Sequence, residues 1–420
     1  MLKRLDRWTR AFGSRVAQMG FFPACRYVVR RIGDRLLRRE SGAISLGSRN
    51  VFKAYAMVDS PAVEVLPGTA QPKCMNWIIP RFSIGSGGHL NIFRMIAMLE
   101  KRGFTCRVFI TERNAFLSAE QAKQLINEHF VQLEAEVYLG ADAMPPCHIV
   151  VATSWETAYW AQAFQAARHR LYFVQDFEPF FFAHGSEYAF AEQTYRMGFD
   201  AVTAGGWLAG KLAVEYGMRT QAFSFSFDKN RYHPLPRTPG PRRVFFYARH
   251  VTPRRGFELG LLALRHVHQQ LPDVEFVLAG WDSSDFEVPF RHLNAGVVAL
   301  DDLPALYAQC DVALVLSFTN LSLLPLELMA CGCPVVSNRG ANVEWLLSDG
   351  DNAILCEPLP AALANGVVRL LEDDALRRRV IEGGFATTAA SDWEAEGLVV
   401  ADFIETRLLS SELARAGGAQ

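Results

Sequence analysis

Arg249, Arg255 and Glu327 are the side chains whose types and positions could do chemistry together. The run Arg249-His-Val-Thr-Pro-Arg-Arg255-Gly256 lies between an apolar run, Val244–Ala248, and a helical-period run, Phe257–Leu271. Two guanidiniums, one ending a strand and one opening a helix, can hold a diphosphate bidentately and neutralise it as a leaving group. Further on, Ser317–Gly340 reads as loop, short helix and buried strand. Pro325 fits the first turn of that helix, Leu326–Ala330 favour it, and Gly332 and Pro334 end it. Its N-terminus would present free N–H groups to an anion, and Glu327 in the first turn could accept hydrogen bonds from sugar hydroxyls. A plain helix–strand corner would give the same pattern, and surface charge is the alternative for Arg249 and Arg255, since Arg254 beside them shows how common arginine is locally.

Two further stretches carry candidate groups. Arg81-Phe-Ser-Ile-Gly-Ser-Gly-Gly-His89 follows the strand Asn76–Pro80 and leads into a helix over Leu90–Arg102. Strand, glycine loop and helix bring backbone N–H groups up to a ligand, although the order is not that of a dinucleotide fingerprint. Asp176 and Glu178 follow the strand Leu171–Val174, placed where open α/β sheets bind ligands. They alternate with phenylalanines, as loop packing alone would also produce.

The elements needed to position these groups are repeated strand–helix units. Strands are expected at Cys106–Ile110, His148–Ala152, Ala201–Thr203, Val274–Ala279, Val312–Leu316 and Ala353–Cys356. Helices are expected over 155–168, 208–216, 303–310, 359–371, 376–383 and 393–409. The alternation argues parallel sheets in two α/β domains, which 420 residues can accommodate. Tyr232–Arg243, with four prolines and a glycine, reads as a semi-rigid connector between them. The expected divisions are a helical extension over 1–50, a first domain over 51–235, a second over 236–392, and a terminal segment, 393–420, whose helix returns to the first domain.

Composition narrows the function classes. Half of the residues are apolar and the net charge is −1, so the chain as a whole is not an electrostatic nucleic-acid binder. The eight cysteines lack zinc spacing and read as buried thiols; no metal site is expected. No apolar run is long enough to span a membrane, and the N-terminus lacks a signal-peptide core, so a cytoplasmic location is expected. Residues 1–40 carry eleven Lys and Arg against three Asp and Glu. Leu5, Trp8, Phe12, Val16 and Met19 share one helical face. That combination suits an anionic membrane surface, while a helical hairpin packed on the protein body is the alternative; RNA attachment lacks an accompanying aromatic-basic module.

These motifs resemble glycosyltransferase family 4, of the GT-B fold. In that family the first strand of the nucleotide-sugar domain closes on arginine and is followed by Pro-x-Lys-Gly. Here Arg249 precedes Pro253-Arg-Arg255-Gly256. The family's pair of glutamates eight positions apart precedes Met-Ala-x-Gly-x-Pro-Val-Val. Here Glu327 takes the second place, ahead of Met329-Ala-Cys-Gly-Cys-Pro-Val-Val336, and Thr319 stands at the first. The resemblance implies that Glu327 binds the nucleotide's ribose. The missing first glutamate normally contacts hexose hydroxyls, so a less polar 6-deoxysugar is implied.

The loops Ile84–Asn91, Val174–Phe181, Asn320–Ser322 and Asn338–Trp345 are similar to those of the WsaF type of rhamnosyltransferase, which uses dTDP-β-L-rhamnose. That likeness implies a metal-free retaining transfer without a cofactor, to a glycan acceptor carried on lipid in cell-surface polysaccharide synthesis. It implies a donor site at Gly87, Gly88, Arg249, Arg255, Gly280, Thr319, Asn320, Ser322, Leu323, Leu324 and Glu327. His89, Asp176 and Glu178 would face the acceptor, with Asp176 as candidate base and Arg249 and Arg255 stabilising the departing diphosphate. The family commonly has histidine near this strand end, where the chain has Gln175-Asp176. A UDP- or GDP-sugar donor, and a non-catalytic sugar-nucleotide scaffold, are the alternatives.

Overall fold

The computed structural model describes residues 51–409, and the basic segment of residues 1–40 lies outside them. Residues from Met57 onward form one compact unit that carries two large parallel sheets, beside a two-stranded pairing of Glu64–Val65 with Ala143–Met144. The strands of the first large sheet are β1 (Cys74–Ile79), β2 (Thr105–Ile110), β3 (Glu136–Leu139), β4 (Cys147–Ala152), β5 (Ala167–Val174), β6 (Asp200–Ala204) and β7 (Thr220–Phe223). They pair in the order β3-β2-β1-β4-β5-β6-β7. The second sheet holds β8 (Arg243–Ala248), β9 (Glu275–Gly280), β10 (His292–Gly296), β11 (Val312–Leu314), β12 (Val335–Asn338) and β13 (Ala353–Cys356), ordered β10-β9-β8-β11-β12-β13. Both therefore reverse direction beside their own first strand, between β1 and β4 and between β8 and β11. In doubly wound sheets the crevice at that reversal, at the carboxyl ends of the strands, is the ligand site. The sequence forces the arrangement: β1, β4 and β6 are buried at every residue, as strands covered on both faces must be.

Helices connect the strands. In the first domain these are α1 (Gly87–Lys101), α2 (Ala119–His129), α3 (Trp155–Ala163), α4 (Ser186–Thr194) and α5 (Gly206–Tyr216). The second adds α6 (Phe257–Gln270), α7 (Leu303–Ala308), α8 (Leu324–Ala330), α9 (Ala341–Glu344), α10 (Pro360–Glu372), α11 (Asp374–Ala390) and α12 (Trp393–Ile404). Caps fix the starts that matter. Ser86 accepts from the His89 N–H at the head of α1, and at α3 the Thr157 hydroxyl accepts from the Thr153 and Ser154 N–H groups at 2.8 and 2.9 Å.

Several expectations are corrected. The helix expected over 155–168 stops at Ala163, and Ala167–Arg170 join β5, because β4 pairs with this stretch from Cys147↔Ala167 onward. Strands β3, β7 and β10 and helices α2 and α4 were not anticipated; they are short or polar, and sheet pairing rather than periodicity defines them. The connector is anchored rather than merely stiff. Phe225, Phe227 and Tyr232 are buried in a core shared by both domains. Tyr232 stacks on Tyr307, and Arg237 pairs bidentately with Asp311 at 2.5 and 2.6 Å.

As expected, α12 returns to the first domain. A Cβ at Gly397 would lie 2.6 Å from Met98 Sδ, so glycine is what lets α12 approach α1. Glu396 accepts from the Ser224 N–H at 2.7 Å, and Lys73 pairs with Glu405 at 2.7 Å. Among the described residues no helix is long and apolar enough to cross a membrane.

Candidate functional site

The second domain's reversal point gathers the arginines. The turn after β8 carries Arg249, Arg254 and Arg255; the loop after β11 runs from Val315 to Leu323 and enters α8. The two loops are tied: Phe318 N–H donates to Arg254 O at 2.9 Å, and Arg255 Nη1 donates to Ser317 Oγ at 2.6 Å. Arg249 Nε donates to Thr252 Oγ1 at 3.0 Å, and its guanidinium lies 5.6 Å from the Trp281 ring centroid. A Cβ at Gly280 would lie 2.7 Å from Tyr247, so glycine permits that aromatic floor.

Burial lowers the pKa of Arg254 and of Arg255, and the neighbouring guanidiniums lower it further; Asp176 opposes both effects. This is the electrostatic signature of a cluster poised for an anion. Arg254 is also part of the cluster: it lies 3.9 Å from the Phe181 ring centroid and 3.8 Å from Asp176. A Pro at its second position shapes the start of α8, and no side chain caps it. Ser322 and Leu323 are half-buried there, and Leu324 is buried.

Glu327, in the first turn of α8, meets a different set of groups. Its neighbours are the Tyr232 hydroxyl, to which it is hydrogen-bonded, then Arg94 of α1 and Arg231. Burial dominates and pushes its carboxyl up to about 7. Arg94, which sequence reading missed, is itself half-buried beside Trp393 at 5.2 Å. Its position on the inward-turned side of α1, in an otherwise apolar run, was the available signal.

The first domain's reversal point is built differently. Gly85 has φ +86, and Gly87 and Gly88 form the exposed first turn of α1, so the expected glycine loop is partly helix. Their N–H groups have no partner within the helix. His89 is not open to an acceptor: Nδ1 lies 2.8 Å from Ser86 Oγ and Nε2 lies 3.3 Å from Pro80 O. Burial pushes its imidazole down to about 4. Glu178 is likewise withdrawn, accepting from Trp155 N–H at 2.5 Å and Tyr172 Oη at 3.3 Å. Burial and then Glu156 raise its pKa well above the carboxylate range. It holds the start of α3.

Asp176, Thr319 and Asn320 are corrected together. Asp176 Oδ2 accepts from Thr319 Oγ1 at 2.7 Å, and Oδ1 accepts from the Asn320 and Phe177 N–H groups, each at 2.8 Å. Its side chain is 13 % exposed. Burial raises its pKa, and Arg255 and these hydrogen bonds oppose the rise. Asn320 is fully buried. Its Nδ2 donates to Gln175 O at 2.9 Å and Ala204 O at 2.7 Å, and its Oδ1 accepts from Trp345 Nε1 at 2.9 Å. These three residues bolt the second domain's loop onto the ends of β5 and β6, and none presents its polar group to a donor or acceptor. Asn338 and Asn342 support the same loop from below, both donating to Ser317 O at 2.9 Å. Their four-residue spacing after a strand was the sequence signal for this support.

Two Rossmann-like domains with facing reversal points define the GT-B glycosyltransferase fold, and the solved structures agree. Sucrose-phosphate synthase from Thermosynechococcus elongatus superposes with a TM-score of 0.61 at 14% identity, covering 81% of this chain and 100% of that one. HepE from Anabaena, solved with UDP and glucose, gives 0.61 at 18% identity, covering 79% and 99%. Residues 85–204 match the WsaF N-terminal domain and residues 242–368 the WsaF C-terminal domain, together more than half of the chain. The chain belongs to the WsaF-type glycosyltransferase family. O-antigen biosynthesis protein RfbC of Myxococcus xanthus is 34% identical over 356 residues, which cover 80% of this chain and 27% of that protein. Phosphatidyl-myo-inositol mannosyltransferase of Mycobacterium tuberculosis is 30% identical over 182 residues, covering 39% and 47%. The chain therefore spans only part of the curated relatives it matches.

Proposed function

We propose that the protein is a retaining glycosyltransferase of cell-surface polysaccharide synthesis that transfers L-rhamnose from dTDP-β-L-rhamnose to a glycan acceptor. The observation that supports this most is the convergence of Arg249, Arg254 and Arg255 with the start of α8 at one reversal point. The diphosphate lies against Arg249 and Arg255, with backbone N–H groups near Ser322–Leu324 assisting. The bond from the sugar's anomeric carbon to the diphosphate breaks, and the acceptor oxygen bonds to that carbon on the face the leaving group vacates. Because Asp176 is engaged at the domain junction, the acceptor's proton passes to the departing phosphate oxygen rather than to this carboxylate. Arginines supply the charge neutralisation, so the reading requires no metal or cofactor. Glu327 holds the ribose when ionised. The missing glutamate at Thr319 leaves the sugar pocket without a carboxylate there, which suits a 6-deoxysugar.

The basic, apolar-striped sequence of residues 1–40 brings the enzyme to the cytoplasmic face of the membrane, where the acceptor is lipid-linked. Deleting it leaves turnover of a soluble acceptor intact and abolishes liposome binding; persistent liposome binding places the contact elsewhere.

The donor is tested by thermal shift with dTDP, UDP, GDP and their sugars, since a ligand at a hundred times its Kd stabilises by about 2.7 kcal/mol. A shift with dTDP-rhamnose supports the reading. A shift with a UDP-sugar alone assigns a UDP-sugar donor, as HepE's ligands would favour. Binding without transfer to any glycan acceptor indicates a scaffold.

A further inference from the structure

Gln175 stands between the two reversal points. It is the residue after β5, and three of its polar groups bond to two separate segments, α1 and the second domain's loop. Its Nε2 donates to Gly88 O at 2.9 Å, in the first turn of α1. Its Oε1 accepts from Asn91 Nδ2 at 3.0 Å, one turn further along the same helix. Its backbone carbonyl accepts from Asn320 Nδ2 at 2.9 Å, in the second domain's loop. Asn320 O, in turn, accepts from Arg255 Nη1 at 3.4 Å. One continuous hydrogen-bonded path therefore runs from the glycine turn of the first domain to the arginine turn of the second.

We propose that Gln175 is a positioning residue that joins the glycine turn to the arginine-bearing loop, so that an anion held by Arg249 and Arg255 orders residues 83–91. The identity of the anion, a nucleotide diphosphate, rests on the function proposed above; the junction itself does not.

The physical reason lies in what else holds the glycine turn. Gly85, Gly87 and Gly88 are exposed, and an added Cβ at Gly85 or Gly87 would meet nothing within 4 Å. Such a turn has little packing to fix it and a high entropic cost of ordering. At Gly88 the atoms within 4 Å of an added Cβ are the Gln175 carboxamide's own, Nε2 at 3.6 Å and Oε1 at 3.9 Å. Asn91 is buried, and its side-chain oxygen has no hydrogen-bond partner among the described residues, so Gln175 supplies the bond that orients its carboxamide. The Gln175 carboxamide is thus a two-pronged clamp on α1.

Two variants of the full chain each remove one prong. Q175E keeps the acceptor for Asn91 and loses the donor to Gly88 O; N91D keeps the Gly88 bond and loses the donor to Gln175. Amide hydrogen exchange is measured on residues 83–91 and 249–256, with and without a nucleotide diphosphate, beside the melting temperature and, with a donor and acceptor, kcat, donor KM and the fraction of donor lost to water. Exchange at 83–91 without ligand is expected to rise about tenfold in Q175E, with 249–256 unchanged. Nucleotide is expected to protect both segments in the wild type and only 249–256 in Q175E, with its affinity within about twofold. Then kcat falls and the hydrolysed fraction rises while donor KM holds, a split that general destabilisation would not produce.

Unchanged exchange at 83–91 in both variants overturns the junction. Faster exchange with unchanged nucleotide protection of 83–91 in Q175E overturns the coupling. If no nucleotide protects 249–256 in the wild type, the proposed function fails, and the ligand-free comparison still decides whether Gln175 joins the two loops.

Discussion

The two reversal points share a strand order and a local plan, yet they present opposite chemistry. The first offers an uncharged glycine turn whose one imidazole is tied down and kept neutral by burial. The second offers three guanidiniums on one turn, which Ser317 ties to the neighbouring loop. Charge is concentrated on the side that the proposed function sets against the diphosphate, and backbone freedom on the opposite side. The exception is Asp176, a first-domain carboxylate that accepts from second-domain groups and faces Arg255 and Arg254. Its charge offsets the arginines across the junction, which lets a buried cationic cluster exist without the full cost of unpaired burial.

That contrast is broken most directly at Arg255. Replacing it with alanine removes the charge that the proposed function sets against the diphosphate, together with the bond to Ser317, so turnover should fall roughly hundredfold or more. Gly88→Ala in the first domain, where the added methyl makes only ordinary contact, should cost far less. Equal losses would mean that both reversal points handle the charged group.

Glu327 sharpens the comparison through pH. Its folded carboxyl sits near 7, above its ordinary value of 4.5, so the folded protein binds more protons than the unfolded chain between those limits. Its contribution to stability is greatest below pH 4.5 and is lost as pH rises through 7, by up to about 3 kcal/mol. Glu327→Gln should therefore melt higher than the wild type at pH 8. Donor binding should move the opposite way. If the ionised carboxylate accepts from ribose hydroxyls, wild-type affinity rises with pH up to about 7, and the glutamine variant is several-fold weaker at pH 8 with a flat profile. Titration of nucleotide binding at pH 6 and pH 8 checks both; unchanged affinity removes the ribose role.

Asp176→Asn separates a junction from a base. The variant keeps a side-chain acceptor in place and loses the charge facing Arg255. Turnover should drop less than about tenfold and the melting temperature should fall. A general base would lose about 10²–10⁴-fold.

How far the sequence revealed this follows the same division. The buried strands, the arginine turn and Pro325–Gly332 were legible because composition and local spacing determine them. Gly332, with φ +78, ends α8 where its position in the sequence said it would. The roles of Asp176, Thr319 and Asn320 were not legible. Their partners lie about 144 positions away, and a carboxylate beside a strand end looks the same whether it faces an acceptor or another domain. His89 and Glu178 were misread for a related reason: burial and capping consume polar groups that local sequence leaves apparently free. Strands β3 and β10 escaped because edge strands carry mixed residues and gain their definition from a neighbour.

The junction's smallest testable part is Trp345, whose indole N–H donates to Asn320 Oδ1 at 2.9 Å and to Asn342 O at 3.1 Å. Its ring lies against Gly205, where φ is +86 and a Cβ would come within 2.6 Å of the indole. Trp345→Phe should preserve much of the packing against Gly205 and Phe225 while leaving the buried Asn320 oxygen without its donor. An unpaired buried acceptor costs about 1–3 kcal/mol, so the melting temperature should fall by a few degrees. Turnover should hold, because Asn320 keeps its three other bonds to the first domain, two from Nδ2 and one from its backbone N–H. If turnover collapses instead, the junction is not a passive bolt: the orientation of Asn320, and through it of the loop bearing Arg255's partner Ser317, must be set by the indole itself.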